Sequence, residues 1–238
     1  MANPHYQNMI LWAGNTTATE QKKDQPMFQP YPSDQTFYGY FNDFMTYNSG
    51  DWTVTTTEAG TGSASEAVTS SAGGALLLTN AAGDNDLDFL QLKGEAFRLS
   101  ASKKAYFSAR FKVSDATQSD FVMGLHITDT SPLDVTDGIF FISADGAATL
   151  DFQVEKDNTA TTTSSVATMA NDTFITTSWF IDPDRDALYY SINNGTPLKS
   201  VATNLPNDED LTISFGIQNG EAVAKTMTID YITMMVER

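Results

Sequence analysis

The sequence predicts an all-β protein built as an antiparallel β-sandwich. Short runs rich in Thr, Val, Ile, Phe and Tyr alternate apolar and polar residues, as half-buried strands do. Gly, Asn, Asp and Pro separate these runs at short intervals. No segment carries the apolar period of a long amphipathic helix. Regularly spaced strands without helices are typical of a sandwich or barrel, and a chain of 238 residues that is 41% hydrophobic can fill its core.

The first 36 residues differ from the rest and predict an extended N-terminal arm. They contain four prolines, Pro4, Pro26, Pro30 and Pro32, and neither the strand period nor the helix period persists. A solvated tail should hold fewer aromatic residues than this segment does. We therefore predict that the arm docks on its own domain or on a neighbouring subunit; the alternative is a disordered leader. The predicted contact residues are Tyr6, Ile10, Leu11, Trp12, Met27, Phe28 and Tyr31.

From residue 37 onward the chain reads as successive strands, and residues 37–238 are predicted to form one domain. The first runs are FYGYF, DWTVTTT, GALLLTN and LDFLQLK, with an Ala/Gly/Ser/Thr-rich surface loop expected over residues 59–74. The run KAYFSARFKV then places Phe107, Phe111 and Val113 on one face. The later runs are FVMGLHIT, GIFFIS, ATLDFQVEK, TFITTSWFI, ALYYSI, DLTISFGIQ and TMTIDYITMMVE. The tripeptide ADG is expected to turn a hairpin at residues 144–146.

The composition argues against several classes of function. A net charge of −17 disfavours direct binding to nucleic acid, which needs clustered Lys and Arg. The absence of cysteine rules out disulfides, thiolate zinc sites and a cysteine nucleophile. The apolar stretch MILWAG near the N-terminus is too short for a signal peptide, and no run is long enough for a membrane helix. We expect neither nucleic acid nor a membrane as a partner.

Four stretches, in this order, resemble the concanavalin A-like jelly roll, the lectin and glucanase sandwich. They are YFNDFMTYNSGDWTVT at residues 40–55, GIFFISADGAATLDFQVEKDN at 138–158, WFIDPDRDALYYSINNGTPL at 179–198 and TIDYITMM at 228–235. The resemblance covers roughly residues 37–238. It implies a jelly-roll sandwich whose terminal strand returns beside the first strand. Because one fold hosts many functions, the resemblance speaks to fold rather than activity.

A cysteine-free jelly roll behind a short non-globular arm also resembles bacteriophage virion proteins of the capsid decoration, or cement, type. This resemblance implies a non-enzymatic structural protein located in the virion, assembled in the host cytoplasm. The implied partners are the major capsid protein, another virion protein, or further copies of this chain as a homo-oligomer, with a trimer plausible by analogy. The apolar residues of the arm are expected to make these contacts.

The sequence offers little support for catalysis. The glucanases that the chain resembles carry a Glu-x-Asp-x-x-Glu pattern on one strand, with carboxylates facing the cleft. The nearest run here, LDFQVEKD, has Asp151, Glu155 and Asp157 at a different spacing. We expect the first two to lie on a solvated outer face, and the same for Asp86 and Asp88. A glycoside hydrolase remains an alternative.

The histidines and one Asp-rich run are the remaining candidates for chemistry. His126 is predicted to be an exposed or groove-lining structural residue. Asp182, Asp184 and Asp186 match the first half of an EF-hand loop, but Ala187 and Asn193 stand where that loop needs Gly and Glu. A simple turn at Pro183 accounts for this run. A calcium site of another kind remains an alternative, and no other cofactor is expected.

Aromatic residues bear on the carbohydrate-binding alternative, a lectin-like module of a phage tail or cell surface. Tyr189 and Tyr190 are neighbours on one strand, so their side chains are expected on opposite faces, with one of them outside. The outer tyrosine is a candidate sugar platform. Trp52 and Trp179 sit at strand positions and are expected in the core.

Overall fold

Two antiparallel sheets stack face to face in the computed structural model, which describes residues 37–238. This confirms the predicted sandwich. The strands are β1 (Phe37–Asn42), β2 (Trp52–Thr57), β3 (Ser65–Val68), β4 (Leu76–Thr79), β5 (Leu87–Leu92), β6 (Ala105–Val113), β7 (Ser119–His126), β8 (Gly138–Ser143), β9 (Thr149–Lys156), β10 (Thr159–Thr168), β11 (Ile175–Asp182), β12 (Ala187–Ile192), β13 (Leu198–Ser200), β14 (Thr212–Asn219) and β15 (Thr226–Glu237). The predicted arm, residues 1–36, lies outside the described residues, so its boundary stays a prediction.

The strands divide between an eight-stranded and a seven-stranded sheet. The eight-stranded sheet runs β13-β12-β11-β6-β15-β4-β3. The eighth strand, β1, pairs with the same edge of β15 as β4 does, but nearer the C-terminal end of β15. The seven-stranded sheet runs β10-β9-β8-β7-β14-β5-β2. The pairing of Phe37 with Glu237 confirms that the terminal strand returns beside the first strand of this range. Within residues 37–238 no helix is long and apolar enough to span a bilayer.

One hydrophobic core fills the space between the two sheets. Phe107 and Phe111 reach it from the eight-stranded sheet, and Phe141 and Phe215 reach it from the other. Each strand contributes alternate residues to this layer, because successive side chains of a strand point to opposite faces. Full burial of such a side chain contributes about 1.5–3 kcal/mol. Trp52 and Trp179 also lie in this core, as predicted.

The surface loop predicted over residues 59–74 is wrong in part, because this segment contains strand β3. Its four residues pair antiparallel with β4, from Ser65 opposite Thr79 to Val68 opposite Leu76. Small and charged residues give this run a weak intrinsic strand preference. Pairing with the apolar strand β4 stabilises β3 despite its weak intrinsic strand preference.

Replacing a core leucine should be far more costly than replacing an exposed one. Leu78 is fully buried, whereas Leu198 is 54% exposed on strand β13. We expect Leu78→Ala to lower the free energy of unfolding by about 2–5 kcal/mol, since it removes buried surface and leaves a cavity. Leu198→Ala is the matched control, with an expected change within about 0.5 kcal/mol. Guanidinium denaturation of both variants measures the difference, and equal losses would contradict this packing.

Candidate functional site

A connecting segment covers the outer face of the seven-stranded sheet. Residues 127–137 link β7 to β8, and we call them the covering segment. Its residue Val135 is buried, and Ile127 and Leu133 pack beside it. Beneath them lies a second hydrophobic cluster on the sheet, made of Leu87, Phe89, Val122 and Phe140. A sugar groove on this part of the sheet would need that space to be open.

Glycines in the sheet make room for the two phenylalanine rings of this cluster. A Cβ atom at Gly216 would lie 2.3 Å from Cδ2 of Phe89. A Cβ atom at Gly138 would lie 2.7 Å from Cε1 of Phe140. The rings therefore occupy the positions that neighbouring side chains would otherwise fill. The sequence contains these glycines, but their role follows only from the register of the strands.

Two buried polar side chains tether the start of the covering segment. His126 Nδ1 lies 2.7 Å from the carbonyl oxygen of Ile127, so this nitrogen donates the hydrogen bond. Gln91 Nε2 donates to the same carbonyl oxygen at 3.1 Å. Gln91 Oε1 accepts from the amide of Asp129 at 3.2 Å. The far end is fixed as well, since Asn158 donates to the carbonyl oxygen of Thr136.

The predicted exposure of His126 is wrong. Its ring is fully buried, 5.9 Å from the Phe89 ring centroid and 6.1 Å from that of Phe140. Burial lowers the pKa of His126 to about 4, because the charged imidazolium would lose its hydration. The neutral ring keeps its proton on Nδ1, and within residues 37–238 Nε2 has no hydrogen-bond partner. The pattern GLHIT did not reveal this, because the cover comes from a later segment.

The carboxylates of strand β9 lie at the margin of the covered face. Asp151, Gln153 and Glu155 share this outer face, as predicted from their alternation. Their expected solvation holds only in part, because Glu155 is 8% exposed. Gln153 Nε2 donates to Glu155 Oε2 at 2.8 Å, and Asp151 Oδ1 accepts from the amide of Ser165 at 2.7 Å.

At this margin, the carboxyl group of Glu155 has an altered pKa. Burial raises its pKa, and the nearby charges of Asp134 and Asp137 raise it further. Asp137 is itself buried and accepts from Thr136 Oγ1 at 2.9 Å and from the Asp157 amide at 3.1 Å. A carboxyl group with a raised pKa is suited to general acid chemistry. This property is the one feature of the face that favours catalysis.

The Asp-rich run around Pro183 forms a turn held by ion pairs. Asp182 is buried and accepts from the Asp184 amide at 3.1 Å, while Arg185 Nη1 lies 2.5 Å from its Oδ2. Asp184 pairs with Lys104 Nζ at 2.8 Å, which lowers the pKa of Asp184. Asp186 ends the turn in the left-handed conformation, with φ of 46°. Cations of the chain thus already contact Asp182 and Asp184.

Tyr189 and Tyr190 lie on opposite faces, as predicted. Tyr190 belongs to the core, with its ring centroid 5.7 Å from that of Phe152, so it offers no platform to a sugar. Tyr189 is on the outer face of the eight-stranded sheet and is half-buried. There it belongs to a row of residues in register across four strands, which we call the aromatic row: Tyr189, Phe180, Tyr106 and Met235.

A second row with hydroxyl groups runs beside the aromatic row. Ser191, Ser178, Ser108 and Thr233 are in register on the same outer face. Phe41 of β1 continues this second row and is 47% exposed. On the outer face of the eight-stranded sheet, aromatic and hydroxyl side chains therefore lie side by side, with Ser108 and Ser191 buried beneath the surface. The seven predicted contact residues of the arm lie outside the described residues.

The predicted solvation of Asp86 and Asp88 is wrong. Both are fully buried. Asp86 accepts from the amides of Ala59, Gly60 and Gly83, which lowers its pKa and fixes the turn before β5. Asp88 faces the interior beside Leu90, because it stands two residues before that core residue on the same strand. Within residues 37–238 no group of three or more His, Asp or Glu side chains is arranged to hold a metal ion.

Known structures share this fold at low sequence identity. A protein of unknown function from Shewanella oneidensis MR-1 matches with a TM-score of 0.60 and 18% identity, covering 85% of this chain and 87% of that one. The endo-1,3-β-glucanase from Streptomyces sioyaensis has a TM-score of 0.58 at 13% identity, covering 87% and 98%. Peanut lectin has a TM-score of 0.55 at 11% identity, covering 84% and 97%. These matches establish the concanavalin A-like jelly-roll fold. No family model and no curated protein sequence matches the chain.

The burial of His126 should be visible in its titration. Its pKa in the fold, about 4, is below the ordinary value of 6.5, so the unfolded chain binds the extra proton first. Stability from the neutral ring is therefore present above pH 6.5 and is lost as the pH falls toward 4. The loss amounts to about 1.4 kcal/mol per pH unit. In a His5→Gln background, NMR of the one remaining imidazole should show no titration between pH 5.5 and 8; a midpoint near 6.5 would contradict the burial.

Replacing Glu155 should stabilise the protein at neutral pH. Because its pKa is raised in the fold, its contribution to stability is present at low pH and declines as the pH rises. Glu155→Gln removes that decline. The free energy of unfolding of the variant should therefore exceed that of the wild type at pH 7 and match it below pH 4. The exposed Asp157→Asn is the control, with no such pH-dependent gain expected. Urea denaturation at both pH values measures the effect, and a variant less stable at pH 7 would contradict it.

Proposed function

We propose that this chain is a non-enzymatic virion structural protein of the capsid decoration type. The observation that carries this proposal is the closed outer face of the seven-stranded sheet, where the covering segment packs on Phe89 and Phe140. A buried apolar cluster in that place supports a scaffold more than a substrate groove. The sandwich holds the arm, and the arm binds the major capsid protein or a sister subunit.

The outer face of the eight-stranded sheet supports a second contact area. Strand β1 follows residues 1–36 directly and lies in this sheet, where Gly39 is in register with Met235 of the aromatic row. Adjacent strands lie about 4.8 Å apart, so the four residues of the row span roughly 15 Å. Each apolar side chain of the arm that becomes fully buried in a partner contributes about 1.5–3 kcal/mol. A repeating lattice multiplies such contacts.

The charge distribution supports a partner with a basic surface. Lys22 and Lys23 nearly balance Glu20, Asp24 and Asp34 in the arm, so almost all of the net charge of −17 belongs to residues 37–238. An acidic body keeps free subunits soluble and mutually repelling. It also attracts a positively charged lattice over a Debye length of about 8–10 Å. The contribution of the acidic body to attachment would therefore weaken as salt increases.

Removing the arm should abolish attachment to the particle. We expect a chain lacking residues 1–36 to keep its fold by circular dichroism but to stop cosedimenting with purified capsids that lack this protein. A full-length variant with Trp12→Ala and Phe28→Ala should lose most of its occupancy too. The matched control carries Thr16→Ala and Gln25→Ala in the same arm and should attach normally. Unchanged occupancy of the truncated chain would contradict the proposal.

A carbohydrate-binding module is the first alternative, and the aromatic row favours it. Tyr189, Phe180 and Tyr106 lie next to a row of hydroxyl groups, and aromatic rings beside hydrogen-bonding groups suit sugars. If this alternative holds, the wild type binds a defined glycan on an array, and Tyr189→Ala loses that binding. Leu198→Ala is the control, because this exposed side chain is on the face opposite Tyr189.

A glycoside hydrolase is the second alternative, and the raised pKa of Glu155 favours it. Under the main proposal, the protein hydrolyses no polysaccharide in a reducing-sugar assay with β-glucans. Hydrolysis that disappears in Glu155→Gln and survives in Asp157→Asn would establish the enzyme instead.

A further inference from the structure

Two acidic side chains from opposite sheets meet at one edge of the sandwich interior. Asp88 of β5 is in register with Ile217 and shares its inward face. Glu66 of β3 is in register with Leu78, another inward residue of the other sheet. The carboxyl group of Glu66 lies within hydrogen-bonding reach of Asp88. The pair therefore spans the gap between the two sheets.

Asp88 lacks the partners that a buried carboxylate requires. It is 0% exposed, and neither of its oxygens receives a hydrogen bond from a donor group within residues 37–238. The neighbouring groups that act on it are Glu66 and Glu58, and both raise its pKa. Tyr47 donates to Glu66 Oε2 at 3.5 Å, so its hydroxyl group is directed to the other member of the pair. Within the described range neither Asp88 nor Glu66 forms an ion pair with a Lys or Arg.

Two ionised carboxylates within hydrogen-bonding reach would repel each other, because the protein interior screens charge poorly. Two carboxyl oxygens can form a hydrogen bond only when a proton lies between them. We propose that Asp88 and Glu66 share one proton, and that this proton holds the edge strand β3 against the seven-stranded sheet. The pair acts as a latch that releases β3 when the proton is lost. This inference does not depend on the proposed function.

The pH range of the latch follows from the direction of the shift. Burial and the neighbouring carboxylates raise the pKa of Asp88 to about 8, from an ordinary value of 3.8. Stability from the protonated pair is fully present below pH 4. It declines as the pH rises, and above about pH 8 Asp88 is ionised inside the fold. The pair therefore still holds its proton at neutral pH, but the stability that the proton provides weakens steadily above pH 4 and is lost near pH 8.

Strand β3 is the element that such a latch would control. It is four residues long, it pairs with β4 alone among the described strands, and it forms one end of the eight-stranded sheet. Three of its four residues are exposed, including Val68 at 42%. Within β3, Glu66 is the residue whose carboxyl group acts on Asp88 of the opposite sheet. Loss of the proton would leave β3 with its ladder to β4 and a repelling carboxylate behind it.

A divalent cation is the competing occupant of this position, and the donor set fits it poorly. Calcium takes six to eight oxygen ligands, usually with several carboxylates. No group of three or more acidic or histidine side chains within residues 37–238 is arranged to hold a metal ion. A single proton satisfies two facing carboxyl groups without further ligands.

NMR titration of the carboxyl group gives the direct test. In protein labelled with ¹³C at the Asp carboxyl carbons, the signal that disappears in Asp88→Asn should titrate near pH 8. In Glu66→Gln the charge of the neighbour is removed, so the Asp88 midpoint should fall by roughly one pH unit or more. A midpoint of Asp88 below pH 5 in the wild type would overturn the proposal.

Hydrogen exchange tests the mechanical consequence. After correction for the chemical exchange rate, protection of the β3 amides in the wild type should fall by up to about tenfold per pH unit between roughly pH 5 and 8, and should level off above pH 8, where the pair is ionised in the closed and the open form alike. Asp88→Asn supplies a permanent donor to Glu66, so its β3 protection should stay flat up to pH 9.5. The exposed Asp84→Asn is the matched control and should behave as the wild type.

Two outcomes of this experiment would overturn the latch. One is β3 protection that does not change with pH in the wild type. The other is protection at pH 9 that CaCl₂ restores and EDTA removes in the wild type but not in Asp88→Asn, since that result would assign the pair to a cation.

Discussion

Each strand of a sandwich has an inner face in the core and an outer face. What covers the outer face decides where a partner can bind. In the seven-stranded sheet most of the central outer positions are apolar or glycine, including Phe89, Val122 and Phe140, so leaving them open to water would be costly. The covering segment removes that surface by packing Val135 on Phe89 and Phe140. The closed face then constrains the rest of the molecule: it buries His126 and confines the carboxylates of β9 to the margin.

The outer face of the eight-stranded sheet is built differently. Its aromatic row stands beside a hydroxyl row, and an ion pair joins Arg110 to Asp230 at the bulge in β15. The Arg110 guanidinium lies 4.0 Å from the centroid of the Phe174 ring. Such side chains tolerate partial hydration, because each combines an apolar body with a polar neighbour. The outer face of the seven-stranded sheet is thus closed, whereas the outer face of the eight-stranded sheet is a mixed polar and apolar surface.

Most buried polar side chains of residues 37–238 have hydrogen-bond partners, and this contrast gives Asp88 its significance. Asn219 Nδ2 donates to the carbonyl oxygens of Ala81 and Gly83 at 2.8 Å, and Asn219 Oδ1 accepts from Asn80 Nδ2 at 2.9 Å and from the Lys225 amide at 3.0 Å. Lys225 is buried between Asp115 at 3.0 Å and Glu221 at 2.6 Å. Where burial is costly, the structure thus normally supplies a partner. Asp88 faces only another acid, which is why a proton is the simplest occupant of that gap.

The sequence by itself determined the strands and the fold class, because alternation and turn residues are local properties. The runs around Phe107, Trp179 and Ile229 form core strands as expected, and Tyr189 and Tyr190 divide between the two faces. The alternation also assigned the correct face to Glu155. It did not determine which faces are solvated.

Only the tertiary structure decided that His126 and Glu155 are buried and that Asp88 meets Glu66. These contacts depend on how segments fold over one another, and no local pattern encodes which loop covers a sheet or which edge strand faces another. The short strand β3 was missed for the same reason, since its stability comes from pairing with β4. Local periodicity fixes the direction of a side chain, whereas burial depends on what the rest of the chain places in front of it.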